Sequence, residues 1–204
     1  MRTLPILLGG CLLFALAPRG LAHFRLLEPA SWLEESELGD PQWAPPCGGT
    51  STNPGKPTGA LTKIQGGDKL HLRIREMAFH PGFYRVALAV NSRAELPPDP
   101  EAATEAAPNG PRSVSGAIHY PPAPPVLADG LFMHGAPFEK EQEADVEIPN
   151  INCAKCTLQV IEFMAAHGRN KEGDYTYHHC ADLQIRADPN KPIDKRFPAE
   201  NKQR

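Results

Sequence analysis

Residues 68–91 read DKLHLRIREMAFHPGFYRVALAVN, and this stretch decides the fold class. Leu70, Leu72 and Ile74 alternate with His71, Arg73 and Arg75. A period of two with one apolar and one charged face predicts a half-buried strand. His80, Pro81 and Gly82 predict a tight turn, since proline fixes φ and glycine relieves steric conflict. Phe83 to Asn91 (FYRVALAVN) is apolar and β-branched, so it reads as a strand buried on both faces.

The pattern continues outward in both directions. His23 to Pro29 (HFRLLEP) predicts a short first strand. A Gly/Pro-rich loop then runs from Ser31 to about Gly59, carrying Trp32, Trp43 and PPCGG. Residues 92–125 are rich in proline and alanine and predict a surface loop or pair of loops. Residues 143–149, 156–164 and 180–186 supply further strands, and 188–204 read as a polar tail. The chain has 23 prolines in 204 residues, and proline breaks helices, so a helical bundle is excluded. Short strands joined by long loops predict one domain over residues 23–187. Its fold class is all-β: an immunoglobulin/fibronectin-III-like antiparallel β-sandwich. A jelly roll or a small barrel fits the same pattern.

Residues 1–22 (MRTLPILLGGCLLFALAPRGLA) read as a cleaved signal peptide. Arg2 precedes an apolar run from Leu4 to Ala17, and Gly20 and Ala22 are small residues at −3 and −1 of a cleavage site. The run is too short to span a bilayer and ends at Pro18, Arg19 and Gly20. The expected location is secreted, or periplasmic and cell-envelope. Removing 22 residues from 204 leaves 182, beginning at His23. Arg2 and Arg19 leave with the signal, so the formal charge moves from −3 to −5. An acidic balance speaks against a nucleic-acid partner held by phosphate contacts. Cys11 is also lost, leaving Cys47, Cys153, Cys156 and Cys180. An even number in an exported chain predicts two disulfides, with three possible pairings. CAKC (153–156) has the spacing of a redox motif or half a zinc site. No second CxxC and no βαβ pattern accompany it, so a structural disulfide is the better reading.

Cleavage after Ala22 would give His23 two metal-binding nitrogens, its α-amine and its ring. Both deprotonate near neutral pH, so a metal can displace their protons. A second histidine opposite would complete a planar set of three nitrogens, which suits Cu(II). His80 is placed for this by its rigid turn. On DYTYHHCADLQI (174–185), Tyr177 and His179 share a face while His178 points to the other. His178 and His179 therefore read as structural or surface residues. His71 and His167 read as solvated, and His119 lies next to the proline-rich loop. His134, in LADGLFMHGAP, reads as a near-surface loop residue that could approach the metal face. Glu162, alone among apolar neighbours in VIEFM, reads as solvent-facing, with hydrogen bonding near the site as the other reading.

Together these motifs resemble the copper-dependent lytic polysaccharide monooxygenases, in particular bacterial monooxygenase-like proteins. The likeness is carried by the histidine after the signal, PCGG (46–49), HPGFYRVAL, CAKCTLQVIEFM and YHHCADLQI, and spans His23 to Ile185. It implies one copper ion, cycling between Cu(II) and Cu(I), in a histidine brace. His23 would give its amine and a ring nitrogen, His80 a ring nitrogen, and Tyr177 would be a weak axial neighbour. These three are the expected catalytic and metal residues. It also implies Cys47–Cys180 and Cys153–Cys156 disulfides. The implied activity is oxidative cleavage of chitin- or cellulose-type β-linked glycans at C1 or C4. The implied partners are an insoluble polysaccharide surface and an external electron donor, with no membrane and a monomeric state. Trp32 and Trp43 are the evident candidates for the polysaccharide surface. Tyr175 stands where several branches of the family carry glutamine. Some relatives bind copper without cleaving glycans, in copper acquisition or at cell surfaces, and that is the alternative function.

Overall fold

The computed structural model describes residues 23–197. The expected signal peptide and its Cys11, and the end of the expected tail at 198–204, lie outside the described residues.

Among the described residues the chain forms strands β1 (His23–Glu28), β2 (Thr62–Gln65), β3 (Lys69–Ala78), β4 (Gly82–Ala89), β5 (Ala102–Glu105), β6 (Arg112–Gly116), β7 (Val126–His134), β8 (Gln142–Glu147), β9 (Cys153–Met164) and β10 (Thr176–Arg186). One 3-10 turn, Arg93–Glu95, follows β4. A three-stranded sheet ordered β1-β3-β8 faces a five-stranded sheet ordered β2-β10-β9-β4-β7, with β5-β6 as a separate hairpin. This is the expected all-β sandwich. Its pairings are antiparallel except β2 against β10, which run parallel.

The alternation in β3 does what it predicts. Leu70, Leu72 and Ile74 are buried, whereas His71 and Arg75 are exposed. They meet Tyr84, Val86 and Leu88 of β4, and Leu158 and Val160 of β9, in one core between the sheets. β4 lies between β9 and β7, and it is buried on both faces beyond Gly82. Its outer side needs a cover, and the proline-rich segment supplies one. Residues 92–125, expected as surface loops, contain the β5-β6 hairpin. Gly116 of β6 packs on the Phe163 ring so closely that a Cβ there would lie 2.9 Å from it. Ser113 is fully buried and its hydroxyl donates to the Met164 carbonyl (2.7 Å). Under this cover, Phe83, Phe163 and Tyr175 form a second apolar cluster. Arg85 is also buried there. It pairs with Asp129 (2.9 Å) and donates to the Ala117 carbonyl (2.9 Å), which satisfies a charge that burial alone would expel.

Three boundaries differ from expectation. VLADGLFMH forms β7, where a loop was expected around His134, and TKIQ, which carried no assignment from sequence, forms β2. Residues 188–197, expected as the start of a tail, are tied to the sandwich. The Asn150 amide donates to the carbonyls of Asp188, Lys191 and Pro192, and its Oδ1 accepts from the Asp188 N–H. Phe197 is buried in the core. The packed unit therefore runs past the expected boundary at residue 187.

Both disulfides are present: Cys47–Cys180 and Cys153–Cys156. The second lies within β9, not in a loop. Side chains three apart on a strand ordinarily face opposite ways. Here Cys156 pairs with Leu183 and Cys153 with Ile185, so three steps on β9 match two on β10. That bulge turns both cysteines inward. Because it closes only a short loop, replacing Cys153 and Cys156 by serine should cost at most about 2 kcal/mol in urea denaturation.

Candidate metal centre

His23 opens β1, and its partner across the sheet is Ala78, at the end of β3. His80 follows two residues later, in the turn to β4. Gly82 holds that turn against β9, where a Cβ would sit 1.9 Å from the Phe163 carbonyl oxygen. The Ala165 N–H donates to the Pro81 carbonyl (2.7 Å), fixing the β9–β10 connection beside the same turn. That connection brings His167. The His167 N–H donates to Ser113 Oγ (3.1 Å), and the Ser113 N–H donates to the His167 carbonyl (2.9 Å). The His80 and His167 rings lie 4.6 Å apart at 66°. Across the site, the Tyr177 ring is 5.3 Å from the His23 ring, with Trp43 6.4 Å beyond in near-parallel stacking. Asp40 Oδ2 is 3.2 Å from His23 Nε2.

The electrostatics favour neutral imidazoles. Burial lowers the His80 pKa to about 4, and the neighbouring His167 and His23 push the same way. His80 Nδ1 is buried without a hydrogen-bond partner. His167 is lowered too, first by burial. Its Nδ1 is bonded to the Gly168 carbonyl, so Nδ1 carries the proton and Nε2 keeps its lone pair. Burial drives the Tyr177 phenol upward, helped by the carboxylates of Asp40 and Glu162. Asp40 is held below the usual carboxylate range chiefly by its bond to His23. The described side chains thus offer neutral nitrogen donors, one of them orphaned, beside a carboxylate. That set fits a borderline transition metal better than Mg2+ or Ca2+.

An acid-stability test follows. Unfolded His80 protonates near 6.5, but the folded ring resists until about 4. Between these values the unfolded state binds more protons, so stability falls as pH drops through the window. His167 acts in the same direction. His134 is raised and acts oppositely, with stability present below 6.5 and lost as pH rises through its folded value. Urea denaturation should show His80 contributing a loss of roughly 1–2 kcal/mol between about pH 7 and about pH 4.5, allowing for water that reaches the ring. The slope should be shallower in His80→Gln, and an unchanged slope would contradict the assignment.

The remaining candidates separate clearly. The predicted set of His23, His80 and Tyr177 gathers at one end of the sandwich. His167, expected in a solvated turn, is buried and belongs with them, as does Asp40. His178 and His179 point to opposite faces as expected, and both are buried structural residues. His178 pairs with Asp99 (2.7 Å). His179 reaches Glu35 (3.1 Å) and the Phe24 carbonyl (3.0 Å). His71 is exposed beside Asp145, and His119 is exposed. Trp32 is not at this site. Its ring lies under Arg93 (3.7 Å) and its N–H donates to the Cys47 carbonyl (2.8 Å). Arg93 in turn reaches Asp182, five residues along β10 from Tyr177, or about 16 Å at the usual strand rise. Glu162, expected to face solvent, is fully buried. Among the described residues, the group of three whose ligand atoms all lie within 4.8 Å of one another is Glu76, His134 and Glu162. His23, His80 and His167 are not drawn together to that extent.

Comparison with protein-family models and with curated proteins finds no match. The functional reading therefore stands on the residues and their arrangement.

Proposed function

We propose that the chain is an exported copper protein of the histidine-brace type that cleaves β-linked glycans oxidatively. The observation that carries this reading is His80, a neutral imidazole with a buried, unpartnered nitrogen, close to the residue that cleavage would make the N-terminus. His23 would contribute its amine and a ring nitrogen, and His80 a ring nitrogen. The Tyr177 ring, packed against His23, closes one side and keeps its proton because it is buried. Bound copper supplies one-electron redox chemistry that activates oxygen or peroxide against a C1 or C4 hydrogen. The protein supplies rigidity: the Gly82 contact, the Ser113 bonds to His167, and the Cys47–Cys180 tie to β10. Export is compatible with the two disulfides, and among the described residues no helix is long and apolar enough to cross a membrane.

One observation favours copper binding without glycan oxidation. The Asp40 carboxylate beside His23 is a hard anionic donor, which stabilises Cu(II) over Cu(I) and opposes redox cycling. A single experiment separates the readings. Chain processed to His23, verified by N-terminal sequencing, is copper-loaded and given ascorbate, peroxide and insoluble chitin or cellulose. Oxidised oligosaccharides by mass spectrometry support the enzyme. Tight copper binding without products supports the binder, and absence of copper binding ends both.

A further inference from the structure

Glu162 is a carboxylate buried in the core. It lies in β9, in register with Tyr84 of β4 on one side and Tyr177 of β10 on the other. Residues in register point to the same side of a sheet, here into the core between the sheets. Glu162 is 0% exposed; neither carboxylate oxygen makes a well-formed hydrogen bond, and the Tyr84 hydroxyl is the donor that acts on it. The Tyr84 hydroxyl is likewise buried without a well-formed hydrogen bond, and it faces that carboxylate. From the facing sheet β3 comes Glu76, and from the end of β7 comes His134. His134 Nδ1 is bonded to the Phe132 carbonyl (2.9 Å), so Nδ1 carries a proton. Its Nε2 then faces Glu76 Oε1 at 2.9 Å. In the neutral ring that nitrogen is an acceptor opposed to an acceptor, so a proton or a cation belongs between them.

We propose that Glu76, His134 and Glu162 form a metal site for one divalent d-block cation, of which Zn2+ is the probe. Once a cation displaces their protons, the two carboxylates and the neutral imidazole carry two negative charges, which the cation would cancel. Carboxylate oxygen and imidazole nitrogen are the donors that zinc takes at about 2.0–2.2 Å. The three ligand atoms already lie within 4.8 Å of one another, so closing on a cation needs shifts of about an ångström. The three residues come from β3, β7 and β9, so the cation would tie the two sheets together. The site shares no ligand with the copper reading at His23 and His80, and it does not depend on that reading.

The test uses chain processed to His23 and carrying His80→Ala, which weakens the other centre. It is stripped with chelator, dialysed against Zn2+ and assayed by atomic emission. We expect about one zinc more per chain than in His80→Ala/Glu162→Gln, with both folded by circular dichroism. We also expect zinc to raise the Tm of the first by several degrees and leave the second unmoved. Equal zinc content, or none in either, would mean that water or protons fill the space, and the proposal falls. If Glu162→Gln does not fold, Glu76→Gln carries the same expectation. In every case, an identical Tm of the His80→Ala chain with zinc and with chelator overturns the site.

Discussion

His80→Ala should weaken Cu(II) binding at least ~100-fold, a loss of about 2.7 kcal/mol or more. The measurement is a competition titration against a chelator of known affinity, near neutral pH, on chain beginning at His23. The size follows from what His80 is before any metal arrives. Its ring is already neutral at that pH, so binding does not have to expel a proton. Its Nδ1 is buried with nothing to bond, so the free protein carries an unmet acceptor that coordination would satisfy. The turn and the Gly82 contact fix the ring, so little side-chain entropy remains to be lost. Alanine removes all three advantages. His167→Ala should cost less, about tenfold, if His167 acts by packing against His80. A loss below tenfold for His80→Ala would remove His80 from the centre, and a larger loss for His167 would make that residue the ligand.

Replacing Cys47 and Cys180 by serine should lower stability by about 4–5 kcal/mol, far more than the Cys153–Cys156 pair. The bond joins residues 133 apart, so its loss restores much freedom to the unfolded chain. For a chain of this size such a change lowers Tm by about 10–20 °C. Neighbouring bonds share the job. Gln159 donates to the Pro46 carbonyl (2.8 Å), the His178 N–H donates to the Gln42 carbonyl (2.8 Å), and Gln42 Oε1 accepts from the Phe24 N–H (3.2 Å). These bonds hold the 29–59 loop against β1 and β10, including Trp43 and Asp40 at the proposed copper site. Copper affinity should therefore fall in the serine double variant even under conditions where it stays folded. Equal affinity would show that the loop does not shape the site.

Much of the architecture was readable because a two-residue period survives wherever one face is wet. That is why Leu70, Leu72 and Ile74 mark β3 without ambiguity. β7 was not readable because Asp129 and Gly130 interrupt its apolar run. Asp129 is there for Arg85, a partner 44 residues away. β2 is a four-residue edge strand whose strand partner is a distant parallel neighbour. The centre divides in the same way. His80 announced itself through its turn, and Tyr177 through the resemblance. His167 gave no local sign, since its burial comes from the β5-β6 hairpin through Ser113. Glu162 misled because a lone charge among apolar residues ordinarily faces water. β9 is covered on both sides, and its carboxylate meets Tyr84 of β4 together with Glu76 and His134, which arrive from distant strands.

The contacts that join the first strand to the last also set a timetable. His179 of β10 bonds the Phe24 carbonyl of β1 across 155 residues, and β2 waits for residues 183–186 before it can pair. Chains dominated by such distant pairings fold slowly, on a scale of roughly milliseconds to seconds. While the chain is still emerging, His23 and His80 exist without Tyr177 or His167. In the proposed copper protein, a partly made chain would offer its imidazoles without the tyrosine wall and without the His167 ring that packs on His80. For the proposed copper site, loading after folding, not during synthesis, is the order this topology favours.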